Sequence, residues 1–145
     1  CNGFQILCEA GLLPGALLHN ESQKFICRNV HLKPVSRIAS ISAELDPSKP
    51  RMIPIAHGEG NYHISADGLK ALEDQDQILF QYCDEKGKVN PWSNPNGSMH
   101  NIAGVANEQM NVFGMMPHPE RAASEDLGNT DGAAILSGLV ALAEA

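Results

Sequence analysis

Three residues of this chain carry groups that together can break an acyl bond: the thiol of Cys1, the imidazole of His118 and the carboxylate of Glu120. A thiolate attacks the carbonyl carbon, a base moves the protons, and a carboxylate holds that base in one orientation. Only Pro119 separates His118 from Glu120. In extended chain, residues i and i+2 point to one side, and proline stiffens the spacing between them. A His-x-Glu alone occurs on many ordinary surfaces. Paired with a cysteine at the opposite end of a small domain, it points to nucleophilic chemistry.

The elements around these residues support that chemistry. Phe4, Ile6, Leu7, Ala10 and Leu13 recur at helical spacing after Cys1, and Gly11 with Pro14-Gly15 closes the helix. A helix N-terminus favours the thiolate. Gly3 removes a side chain beside the thiol, as a sharp elbow requires, and the Asn2 N–H would face an oxyanion formed on the attacked carbonyl. Gln5 lies one helical turn on, on the same face, where its amide can meet a substrate amide or amino acid. His57-Gly58-Glu59-Gly60 reads as a loop whose small residues expose backbone N–H groups able to receive a carboxylate. Taken alone, Cys1 is equally a small buried thiol, and His57 a loop histidine bonded to local backbone.

Five blocks carry a family resemblance: Cys1-Asn2-Gly3-Phe4-Gln5-Ile6-Leu7, Phe25-Ile26-Cys27-Arg28, Ile55-Ala56-His57-Gly58-Glu59-Gly60-Asn61-Tyr62, Asn94-Pro95-Asn96-Gly97-Ser98 and Gly114-Met115-Met116-Pro117-His118-Pro119-Glu120-Arg121-Ala122. They span nearly the whole chain in order, and they resemble the class I (triad) glutamine amidotransferases. Within that class they are similar to the glutaminase subunits of phosphoribosylformylglycinamidine synthase, from purine biosynthesis. The resemblance implies Cys1 as nucleophile, His118 as base and Glu120 as its orienting carboxylate. It implies glutamine contacts from Gln5 and from the Gly58 and Glu59 backbone, and an oxyanion donor at Asn2. It also implies a cytoplasmic complex: ammonia passes to a synthetase subunit that carries ATP and Mg2+, with a small accessory subunit, and a partner contact at Asn94–Ser98 is implied on this ground alone. The implied fold is α/β, a flavodoxin-like three-layer arrangement. In the family, central parallel strands and a glycine-containing oxyanion loop precede the nucleophile. Residues 1–145 are therefore expected to form a C-terminal portion of that domain, unstable by itself. Two rivals stand beside this reading. One is an amidotransferase of the N-terminal-nucleophile class, with the Cys1 amine as base, which leaves His118 and Glu120 without a role. The other is an inactive interaction fragment.

Composition narrows the field. With 145 residues, 43% hydrophobic and 19% charged, the chain has enough length for one real core. A net charge of -7 with scattered cations disfavours nucleic acid or an acidic membrane as partner. No apolar run approaches the roughly 20 residues of a membrane span. The 4 cysteines lack Cys-x-x-Cys spacing, and the 6 histidines lack a metal-ligand pattern, so no protein-bound metal or cofactor is expected. Cys8, Cys27 and Cys83 read as buried free thiols. No Gly-x-x-x-x-Gly-Lys-Ser/Thr loop is present, so an ATP-dependent ammonia acceptor must come from another chain.

The remaining pattern predicts a loop over 12–18 and strands over 25–32, 37–45, 52–56 and 77–83. A helix follows Ser65 to about Glu73. Asn96-Gly97 predicts a hairpin with a returning strand from Ser98 to Ala106. A further strand over 112–116 delivers His118 at its C-terminal end. Trp92 is expected to cover an edge of the core. A last helix, Asp131 to about Ala143, carries a wide apolar face of Ile135, Leu136, Leu139, Val140 and Leu142.

Overall fold

A side chain that captures backbone N–H groups can overrule a good strand pattern, and this happens at residues 37–45 in the computed structural model, which describes residues 1 to 144. The alternation there predicts a strand. Instead Asp76 accepts from the Arg37 and Ile38 N–H groups at 2.7 and 3.2 Å and from the Ser36 hydroxyl at 3.0 Å. Ser36 Oγ accepts from the Ala39 N–H, and Ser42 Oγ donates back to the Ser36 carbonyl. These local bonds divert the backbone from a ladder, and the segment becomes a bend with one short helix, α2 (Ser40–Ala43).

Elsewhere the elements follow the pattern more closely. α1 (Asn2–Glu9) leads to β1 (Ala16–Leu18), a short strand inside the expected loop. β2 (Ile26–Pro34) and β3 (Arg51–His57) precede α2 and follow it respectively, and β4 (Asn61–His63), β1's partner, comes next. α3 (Ala66–Asp74) starts at Ser65, whose side chain accepts from the Gly68 N–H as an N-cap should. β5 (Ile78–Cys83), β6 (Ile102–Ala106), β7 (Phe113–Met115) and α4 (Asp131–Glu144) complete the chain.

The main sheet runs β3-β2-β5-β6-β7, and each of its pairings is antiparallel. Helices cover both faces, as a three-layer α/β arrangement requires. On one side Ile41 of α2 and Ile135 of α4 pack with Val30, Leu32, Ile53, Ile55 and Phe80. On the other, Phe4 of α1 and Leu69 and Leu72 of α3 pack with Tyr62, Ile78, Ile102 and Val105. Burying each such side chain contributes about 1.5–3 kcal/mol, which makes these clusters the main fixture of the layers.

Four expectations need correction. Asn96-Gly97 does not turn a hairpin. Asn94 Oδ1 accepts from the N–H groups of Asn96 and Gly97 at 3.2 and 2.8 Å, which closes a local loop instead. The strand after it begins only at Ile102, behind a tight turn at Met99–Asn101. Trp92 covers nothing: it is 91% exposed, on a short 3-10 turn at Pro91–Ser93. Cys83 is buried, but Cys27 is exposed and Cys8 half-buried. On α4 only Gly132 and Ile135 are buried, and Leu139, Val140 and Leu142 face outward.

Candidate active site

The site forms where the sheet's two edge strands approach each other. α1 is held against β7 by Phe4, which is buried and stacks on Tyr62 at 5.7 Å. Close approach needs Gly114 in β7, where a Cβ would lie 2.4 Å from the Phe4 ring and 2.6 Å from Leu13. Cys1 then sits between the edges. Its amine donates to the Met115 carbonyl of β7 at 2.8 Å, and its thiol donates to the Ala56 carbonyl of β3 at 3.7 Å. Just past β7, the His118 N–H donates to the Pro54 carbonyl, again on β3, at 2.8 Å. Cys1 and His118 are thus tied to the same two strands, and both line one cleft of about 420 Å³ with Asn2, Gly3, Pro117 and Glu120.

His118 and Glu120 meet as expected, although by a different backbone route. Residues 119–122 form a 3-10 turn rather than extended chain. His118 Nδ1 lies 2.7 Å from Glu120 Oε1. A carboxylate can only accept, so this bond places the proton on Nδ1 and leaves the lone pair on Nε2. His118 Nε2 is buried and has no protein partner. Burial alone would raise the Glu120 carboxyl. The His118 hydrogen bond, its own backbone N–H and the charges of His118 and Arg121 outweigh that effect and hold it below its ordinary value. The arrangement can take a proton from a thiol and return it to a leaving group.

Asn2 opens α1, so its N–H is one of the first-turn amides that no helical carbonyl can accept. Gln5 and Glu59 come together: Gln5 Nε2 donates to Glu59 Oε2 at 3.0 Å, and His19 Nδ1 stands 3.6 Å from Glu59 Oε1. Gly58 and Glu59 lie directly beyond the end of β3. Among the described residues, no three His, Cys, Asp or Glu side chains converge as a metal site.

The comparisons with known proteins fit this geometry. Residues 1–131 match the model of the CobB/CobQ-like glutamine amidotransferase domain. The chain belongs to that amidotransferase family. Curated relatives include phosphoribosylformylglycinamidine synthase subunit PurQ of Aquifex aeolicus, 52% identical over 91% of this chain and 58% of the relative. The PurQ subunit of a Synechocystis strain is 53% identical over 93% of this chain and 60% of its own length. A solved structure of PurLQS from Thermotoga maritima superposes with a TM-score of 0.79 at 39% identity, covering 97% of this chain and 58% of that one. The chain therefore spans about three fifths of the length of these relatives.

Three buried polar residues were given no part in the site by the sequence: Asn20, Asn96 and Ser98. All three hold the loop that begins at His57. Asn96 and Ser98 belong to a motif legible as a turn, with a partner contact implied only by the family resemblance. Asn20 lies in a polar run, His19 to Lys24, that carries no periodic signal.

Proposed function

We propose that this chain is the glutaminase part of phosphoribosylformylglycinamidine synthase. The Cys1 thiol gives its proton to His118 Nε2, and the sulfur attacks the side-chain carbonyl carbon of glutamine. The C–N bond then breaks, His118 returns the proton to the departing nitrogen, and ammonia leaves behind a glutamyl thioester. His118 next takes a proton from water, whose oxygen attacks the thioester, and glutamate and the free thiol are released. Glu120 keeps the proton on Nδ1 and stabilises the imidazolium that forms at each stage. The Asn2 N–H faces the oxyanion, a contribution on the order of 3 kcal/mol for one such donor. Gln5 and the Gly58 and Glu59 backbone receive the amino-acid end of glutamine.

The observation that carries this reading is the pairing of Cys1 and His118 about one cleft, with His118 Nδ1 engaged by Glu120 and Nε2 unpartnered. The PurQ names of the relatives and the PurLQS title of the structural neighbour support the wider assignment. In it, a cytoplasmic synthetase subunit holding ATP and Mg2+ receives the ammonia and converts formylglycinamide ribonucleotide to the formylglycinamidine, with a small accessory subunit in the complex. The test is glutamate release by the full-length chain in that complex. Cys1→Ala should abolish it, and unchanged hydrolysis by Cys1→Ala would end the proposal.

A further inference from the structure

The loop after β3 is shaped by side chains that do no chemistry themselves. Asn20 Nδ2 donates to the carbonyls of His57 and Lys24, both at 2.8 Å, while its Oδ1 accepts from the Gly60 N–H at 3.0 Å. The Asn20 N–H also donates to the Gly58 carbonyl at 2.9 Å. Ser98 Oγ donates to the Gly60 carbonyl at 2.9 Å and accepts from the Tyr62 N–H at 3.1 Å. Asn96 Oδ1 accepts from the Ser98 N–H at 3.1 Å, which fixes which end of its amide is which. Its Nδ2 therefore donates to His57 Nε2 at 3.1 Å and to the Tyr82 hydroxyl at 3.2 Å.

These bonds engage the carbonyls of His57, Gly58 and Gly60 and the N–H of Gly60. The N–H groups of Gly58 and Glu59 are not among them. Asn20, Asn96, Ser98 and His57 are each at most 3% exposed, so water does not compete for them. The packing is close enough that a Cβ on Gly60 would lie 2.2 Å from His57 Nε2 and 2.8 Å from Asn96 Nδ2. Because Nε2 accepts from Asn96, the His57 ring is the neutral Nδ1–H form. Burial is the largest cause that pushes its pKa down, to about 4.

We propose that Asn20 and Asn96 are positioning residues for glutamine: between them they hold residues 57–60, leaving the Gly58 and Glu59 N–H groups to the substrate. This rests on the glutaminase reading and adds to it two residues that touch neither the nucleophile nor the base. The clamp belongs to binding. Loosening it lets the loop sample other shapes, and glutamine then has to order it.

The test compares Asn20→Asp and Asn96→Asp, near-isosteric changes that remove the donors, in the full-length chain with its synthetase. Steady-state kinetics with glutamine are read beside the rate of Cys1 alkylation by iodoacetamide, which needs no glutamine site. The expected result is a rise in KM of tenfold or more, larger than any fall in kcat, with alkylation within about threefold of the parent. Gly60→Ala, whose Cβ would meet both the His57 ring and the Asn96 amide, should raise KM in the same way and serves if an Asp variant fails to fold. An unchanged KM in any folded variant overturns the clamp, as does a loss of kcat alone in step with lost folded protein. Absence of glutamine hydrolysis in the parent complex, or its survival in Cys1→Ala, would instead overturn the glutaminase reading itself.

Discussion

His118 Nδ1 and Glu120 Oε1 stand 2.7 Å apart across a 3-10 turn that begins at Pro119. The contact fixes the tautomer of the base and leaves Nε2 without a protein partner, in a residue that lines the same cleft as Cys1. Glu120→Gln keeps the size of the side chain but replaces the pure acceptor with an amide. It should lower kcat for glutamine hydrolysis by roughly 10²-fold or more, the usual scale for disabling a general base. Steady-state rates at saturating glutamine check this. A loss below threefold would remove Glu120 from the mechanism.

The charge state of His57 predicts how stability depends on pH. Its folded pKa, about 4, lies below the ordinary 6.5, so folding favours the neutral ring. The stability this contributes is complete above about 6.5 and is lost as pH falls toward about 4, where the unfolded chain binds a proton that the folded chain does not. The full effect is on the order of 3 kcal/mol. Denaturant midpoints of the full-length chain from pH 7 to pH 4 should fall, and His57→Gln should flatten that part of the curve. Parallel curves for parent and variant would show that other groups govern it.

Gly114 links packing to chemistry. A methyl group there has no space between β7 and the Phe4 and Leu13 side chains. Gly114→Ala should push α1 outward, destabilise the fold by about 1–3 kcal/mol and carry Cys1 away from His118. Thermal melting and the rate of Cys1 alkylation in the full-length chain check both parts. A stable variant with parental alkylation and turnover would mean that α1 is not positioned by this contact.

Much of this was legible in the chain. The α1 spacing, the Ser65 cap, the strands ending at His57 and Met115, and the His118–Glu120 pair follow from periodicity and side-chain chemistry. Residues 37–45 did not, because Asp76, distant in sequence, captures their N–H groups. Asn96 did not either: Asn-Gly signals a hairpin locally, and only the fold shows Asn94 closing the loop and Asn96 turned inward to His57. Trp92 illustrates the opposite failure: an aromatic residue expected to cover the core stands 91% exposed on the turn Pro91–Ser93.

The outward side of α4 carries a further prediction. Leu139 and Val140 are exposed, Val140 by 58%, and Leu139 lines a largely apolar cleft of about 430 Å³ with Ile41, Val112, Phe113 and Leu136. Exposed apolar surface of this kind promotes association. Residues 1–145 by themselves should aggregate or bind a hydrophobic dye and lack a cooperative melt. A soluble monomer with a sharp transition would contradict this.

The most direct measurement is to quench the full-length complex in acid while it turns over radiolabelled glutamine, then map the label by peptide. A glutamyl group on the peptide that contains Cys1, accumulating further when His118→Asn slows thioester hydrolysis more than attack, is the result expected of a covalent thiol mechanism. Steady glutamine hydrolysis with no label on that peptide in either protein would contradict it.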